Sequence, residues 1–219
     1  MKRLAIVLAL VCIASVSSAT ILYQQGFEDP TMIGTQYFDL GDPLLDHDLV
    51  NNVGESTVDL PGVDAQYFNT RDGLGLADGD YVGVTDYAGT VGAWAEGLQG
   101  YQMSDCDGMM TIFFDDFPTA AAVSLDIYIQ ETGWEADDVI IITFGSVVIL
   151  DTTGQDIDDL LIEGTWINFT VPVAGGVLSI SLDCNSGSEA LFIDDVVIYD
   201  DIAVSNEDTS FGAVKALFR

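Results

Sequence analysis

Between residues 121 and 199 the chain repeats one device. Short runs place apolar residues at every second position, and each run is closed by glycine, proline, asparagine or aspartate. In Ala121–Ile129, residues Val123, Leu125, Ile127 and Ile129 point one way, as in a half-buried strand. Thr165–Val171 alternates likewise and is closed by Pro172, Val177–Leu182 alternates after Gly175-Gly176, and Ala190–Tyr199 forms a last strand. Val139–Phe144 is a continuous, largely β-branched run, predicted as a strand covered on both faces, and Gly145 turns it into a hairpin with Ser146–Leu150. Upstream, Asp80–Thr85 and Met109–Phe114 read as strands, whereas residues 31–69 read as long loops with one or two short strands. Helical periodicity is confined to one turn within Asp156–Ile162 and a terminal stretch at Phe211–Phe218. A chain of this pattern cannot bury its apolar faces except by stacking sheets. The expected fold class is therefore all-β, an antiparallel sandwich of two sheets.

Charge narrows what such a sandwich meets. Asp and Glu number 36 against 5 Lys and Arg, a formal net charge of −31. Two of the bases, Lys2 and Arg3, open the chain, and beyond them stand only Arg71, Lys215 and Arg219. A surface of that sign repels phosphate backbones and anionic lipid heads, so nucleic acid and membrane surfaces are excluded as partners. Divalent cations, high salt and neutral ligands such as sugars are compatible with it.

Lys2 and Arg3, the apolar run Leu4–Val16 and the small residues Ser17-Ser18-Ala19 have the layout of a secretory signal peptide, which assigns 1–19 to targeting and predicts a secreted or cell-surface protein. The run is too short to span a bilayer, which takes about 20 residues, and no later one is longer. Residues 20–200 then form one domain, and 201–219 an acidic linker followed by a short apolar and basic tail, Phe211–Arg219. Two cysteines fall in the domain, Cys106 and Cys184. In an oxidising compartment they form either a disulfide or two buried thiols far apart, and the sequence does not show their proximity.

The ends of the domain carry the sharpest constellation: Gly26-Phe27-Glu28-Asp29-Pro30 at the start and Phe192-Ile193-Asp194-Asp195-Val196 in the last strand. First and last strands of a sandwich often pair, which would bring Glu28 to Asp194. Two carboxylates so placed repel unless a proton or a cation lies between them. Ca²⁺, a hard cation that takes six to eight oxygens, suits such a site. Gly-Phe-Glu-Asp followed at the far end by Ile-Asp-Asp-Val resembles the bookends of bacterial jelly-roll carbohydrate-binding modules. The resemblance implies a jelly-roll β-sandwich and a structural calcium held by Glu28 and Asp194, with Asp29 and Asp195 beside them.

Two further acidic loops, Asp78-Gly79-Asp80 and Asp105-Cys106-Asp107-Gly108, lack the glutamate that completes an EF-hand and read as Asp-Gly turns. Sugars stack on aromatic rings while amides and carboxylates bind their hydroxyls. Tyr87, Trp94, Tyr101 and Trp134, in or beside glycine-rich or acidic loops, are the candidate ligand contacts, whereas Trp166 is assigned to the core. Catalysis is poorly provided for. There is one histidine, His47, and no Gly-x-Ser-x-Gly elbow. Asp126 and Glu131 are an odd number of residues apart, so a regular strand points them to opposite faces and spoils a glycosidase pair. The expectation is a non-enzymatic secreted module that binds a neutral glycan or cell-surface polysaccharide, or adheres, with a structural calcium. Its alternative is a structural surface protein whose acidity serves hydration in salt, and a small glycoside hydrolase ranks last.

Overall fold

The structure, a computed structural model, describes residues 19–29, 35–71, 73–89, 91–131 and 133–201. The expected signal segment up to residue 18 and the tail from 202 onward lie outside the described residues. The fold is the two-sheet antiparallel sandwich that the alternation requires.

The first sheet contains β1 (Ile21–Gln25), β4 (Gly83–Thr85), β5 (Gly100–Ser104), β7 (Ala122–Ile129), β10 (Trp166–Pro172) and β12 (Ala190–Tyr199). The second contains β2 (His47–Asp48), β3 (Val63–Phe68), β6 (Gly108–Phe117), β8 (Val139–Phe144), β9 (Val147–Asp151) and β11 (Gly176–Cys184). Strand order is β10-β7-β12-β5-β4 in the first, with β1 also on β12, and β2-β3-β6-β11-β8-β9 in the second. Two single 3-10 turns, Gly75–Ala77 and Asp158–Leu160, are the helical elements among the described residues. No helix there is long and apolar enough to cross a membrane.

Period-two patterning sets which side chains meet between the sheets. Val123, Leu125, Ile127 and Ile129 from β7 face Ile140, Ile142 and Phe144 from β8 and Leu178, Ile180 and Leu182 from β11 in one continuous core. Slipping any of these strands by one residue would turn its whole apolar set outward, so burial fixes the register. Pro172 ends β10 on the edge of the first sheet, where its missing N–H costs no ladder bond.

Two expectations need correction. β8 is covered on one face only: Ile140, Ile142 and Phe144 are buried while Val139, Ile141 and Thr143 are half-exposed. Its β-branched run reflects strand propensity rather than double burial. Residues 100–104, assigned no strand above, form β5, while residues 31–69 hold the two short strands expected there, β2 and β3.

The decisive feature of the topology lies along one side of β12. β5 pairs with Ala190–Ile193 and β1 with Val196–Tyr199, so β1 and β5 share that side of β12 end to end. The gap between them falls at Asp194-Asp195, where the pairing of β12 with β7 on the other side is also broken by a bulge.

Candidate functional site

Because β1 runs antiparallel to the end of β12, Gln25 lies opposite Val196, and the chain leaving β1 delivers Gly26, Phe27 and Glu28 to the gap beside Asp194. The loop Ala93–Gln99, which leads into β5, closes over the same gap. Its backbone supplies the donors. The N–H of Glu96 donates to Asp194 Oδ2 at 2.7 Å, and those of Leu98 and Gln99 donate to Glu28 Oε1 at 2.7 and 3.0 Å. The Gln99 side chain returns a bond to the Phe27 carbonyl at 2.7 Å, and the Asp195 N–H closes on Asp194 Oδ1 at 2.7 Å. Gly97, at φ +62°, lies so near Glu28 that a Cβ there would come 2.1 Å from the carboxylate. Phe27 and Asp195, each next to one of the two carboxylates, hold positive φ values of 58° and 42°, which side chains adopt only where surroundings over-determine the backbone.

Asp194 is completely buried. Burial pushes its carboxyl up to about 7, with the charges of Asp195 and Glu96 adding to the rise and the two backbone donors opposing it. Among the described residues the basic side chains are Arg71 and His47, and each is engaged by other carboxylates. Glu28, Glu96, Asp194 and Asp195 therefore surround the gap with hard oxygen donors and no basic partner among them. Their oxygens do not gather within 4.8 Å of one another as those of two other acidic groups do, and both Asp194 oxygens and Glu28 Oε1 accept backbone N–H bonds. Of the expected ligands, Glu28 and Asp194 are joined through the loop and Asp195 adjoins them, while Glu28 and Asp29 are both exposed. Glu96 was not foreseen, since nothing local in Ala93–Gln99 marks it as a partner of residues about 70 and 98 positions away.

The same loop borders an aromatic cluster on the face of the first sheet turned away from the core. Trp94, Tyr128 and Phe192 are buried there with Val91 and Ala190, and Trp166 packs against them. Ring centroids lie 5.7 Å apart for Trp94–Trp166 and for Tyr128–Trp166, and 5.9 Å for Trp94–Phe192. Tyr87 stacks on Phe192 at 6.1 Å with planes 21° apart, and it is 45% exposed. Beside the rings runs a polar row made by the alternate residues of β7 and β10. Asn168 Nδ2 donates to Asp126 Oδ2 at 3.1 Å and to Ser124 Oγ at 3.2 Å, and Thr170 Oγ1 donates to Asn168 Oδ1 at 2.8 Å. Partial burial raises the Asp126 carboxyl; the Asn168 bond works against this, and nearby Asp195 adds to it.

Of the four aromatics expected to contact a ligand, Tyr87 and Trp94 border this face. Tyr101 and Trp134 do not. Tyr101 is fully buried in the core and gives its hydroxyl to the Val58 carbonyl at 2.8 Å. Trp134 is 3% exposed, with its indole N–H on the Gln130 carbonyl at 2.9 Å. Both corrections have one cause: β5 and the turn after β7 fold the rings inward, where each ring's polar atom finds a carbonyl. Conversely Trp166, assigned to the core, lies half-exposed on the outer face.

Cys106 and Cys184 are brought together as free, fully buried thiols rather than a disulfide. Cys184 donates weakly to the Glu189 carbonyl at 3.4 Å, and burial raises the Cys106 thiol strongly, with Cys184 adding to the rise. Two carboxylate triads gather within 4.8 Å: Asp78, Asp80 and Asp107, and Glu135, Asp138 and Glu189. The first joins the two acidic turns that the sequence leaves separate. The second adjoins Arg71, whose Nη1 binds fully buried Asp138 at 2.7 Å.

No protein-family model and no curated protein matches the chain. Solved structures do. The match to the K2 cleaved adhesin domain of Lys-gingipain has a TM-score of 0.43 at 12% identity and covers 70% of this chain and 97% of that one. A carbohydrate-binding module solved with β-1,4-galactotriose matches at TM-score 0.34 and 15% identity, over 55% of this chain and 82% of its own. A cyclase from Fischerella sp. matches at 0.35 and 13%, over 83% and 96%. Each is a likeness at low identity.

Proposed function

We propose that this protein is a secreted, non-catalytic module that binds a neutral glycan on the outer face of its first sheet. The observation that carries the reading is the juxtaposition on that face of an aromatic cluster, Tyr87, Trp94, Tyr128 and Trp166, with the hydroxyl, amide and carboxylate row of Ser124, Asp126, Asn168 and Thr170. Flat apolar surface beside paired donors and acceptors is what a pyranose, with its C–H faces and hydroxyl rim, requires. Acidic surroundings leave a neutral sugar unopposed and repel anionic ones.

In this reading Ca²⁺ is structural. Glu28 and Asp194 would hold it, with Glu96, Asp195 and Asp29 near enough in sequence or space to assist. The ion would neutralise carboxylates that otherwise repel one another, and would fasten the start of the domain to its last strand.

The test is a glycan array probed in CaCl₂ and in chelator, with wild type and Trp166→Ala side by side. Retention of a neutral oligosaccharide by wild type and its loss in Trp166→Ala is the expected result. No retained sugar at any calcium concentration would overturn the reading and leave a structural surface protein.

A further inference from the structure

The carboxylate gap and the aromatic face are joined by β12, which carries both Asp194 and Phe192, and by one loop that is bonded to both. At its first end the Ala93 carbonyl accepts the Trp166 indole N–H at 2.9 Å, and the Trp94 ring lies against Trp166 and Phe192. Two to five residues further on, the backbone N–H groups of Glu96, Leu98 and Gln99 end on Asp194 and Glu28. Gly100 then enters β5, and a Cβ there would strike the Trp94 ring at 2.2 Å, so the ring is seated directly against the strand that the loop leads into. The segment is short and tied at both ends, leaving little slack to absorb a displacement at either.

We propose that Ala93–Gln99 acts as a strap that makes Glu28 and Asp194 positioning residues for the aromatic face, so that what occupies or alters those carboxylates changes the placement of Trp94 and Trp166. The carboxylates never touch the ligand. They act through three backbone N–H bonds on a loop whose other end sets the spacing of two indole rings. Reciprocity follows from linkage: seating a sugar on the rings tightens the strap on the carboxylates by the same factor by which filling the gap favours the sugar. The consequence for affinity rests on the glycan reading above, but the mechanical coupling does not, and it is testable without a sugar.

The test uses the three indole N–H signals of the full ¹⁵N-labelled chain, which belong to Trp94, Trp134 and Trp166. Trp134 serves as the internal control, since its indole is bound to Gln130 in the core and has no part in the strap. Glu28→Gln keeps the size of the side chain and weakens the acceptor for two strap N–H groups. The expected result is displacement of the Trp94 and Trp166 signals, with about tenfold faster hydrogen exchange at Trp166 as befits a weakened hydrogen bond, while Trp134 stays in place. Asp116→Asn, exposed on β6 in the other sheet and bonded to none of the strap, should leave all three signals where they were. A folded Glu28→Gln variant with Trp94 and Trp166 unmoved overturns the proposal, as does movement of all three signals together. Should Glu28→Gln not fold, Gly97→Ala decides, since its Cβ would strike the Glu28 carboxylate: movement of Trp94 and Trp166 alone supports the strap, and no movement overturns it. The glycan array separately decides the ligand reading, so a silent array with moving indoles would sink that reading and leave the strap standing.

Discussion

Replacing Arg71 tests how an acidic protein keeps its interior neutral. Arg71 is the sole Lys or Arg between Arg3 and Lys215, and three carboxylates converge on it. Nη1 lies 2.7 Å from Asp138 and 3.5 Å from Asp183, and Nη2 lies 2.6 Å from Asp137. The partners differ in what they contribute. Asp137 is 77% exposed on its side chain, so water and salt screen its bond and it adds little. Asp138 is fully buried, with its second oxygen on the Glu135 N–H at 2.6 Å. Arg71→Met keeps the aliphatic stem and strands that buried charge, a loss of about 3–5 kcal/mol. For a domain of this size that corresponds to a fall in Tm of roughly 6–20 °C. Arg71→Met combined with Asp138→Asn should recover most of the fall, because the stranded charge is gone while the Glu135 N–H keeps an acceptor. The assay is thermal unfolding of the two single variants and the double, read as a mutant cycle. A drop of under about 2 °C in Arg71→Met, or a double variant no better than it, would refute the argument.

His47 has both ring nitrogens on acceptors, the Leu45 carbonyl and Asp39 Oδ2, each at 2.7 Å, which requires the imidazolium. Burial works against that charge and is outweighed by these two partners, so its pKa is raised; the stabilisation is full below about 6.5 and is lost as pH rises through the folded value. An NMR titration should show it, and His47→Gln should flatten the dependence of Tm over that window. Tyr101→Phe, which leaves the buried Val58 carbonyl without its donor, should cost about 1–3 kcal/mol by denaturant unfolding while glycan retention is unchanged. Micromolar CaCl₂ should raise the Tm of wild type and not of a Glu28→Gln variant, whereas a rise seen only in molar NaCl would show that surface screening alone is at work.

What the sequence makes legible follows from what is local. The strands at β7, β10, β11 and β12 announce themselves because each buries one face, and alternation records it residue by residue. The meeting of the Phe27–Glu28 and Asp194–Asp195 segments is likewise anticipated by the habit of first and last strands to pair, and β1 on β12 delivers it. Trp166 shows a rule available but misapplied. Its own alternation with Ile167, Phe169 and Val171 places it outside with Asn168 and Thr170. Aromatic bulk drew the assignment inward against the period. Tyr101 shows a true limit: a five-residue strand between glycine-rich and acidic loops carries too short a pattern to read. Glu96 was beyond reach as well, because its role arises from a loop folding across two distant segments, which no local pattern records. The same holds for the union of Asp78 and Asp80 with Asp107.

Affinity electrophoresis through gels cast with neutral polysaccharides (galactan, mannan, xylan and β-glucan) puts the glycan-binding face to its most direct trial. Wild type should be retarded in at least one of them, and Trp166→Ala should run at the mobility of a gel without polysaccharide. Equal mobility of wild type in every gel, or retardation that survives Trp166→Ala, would contradict it.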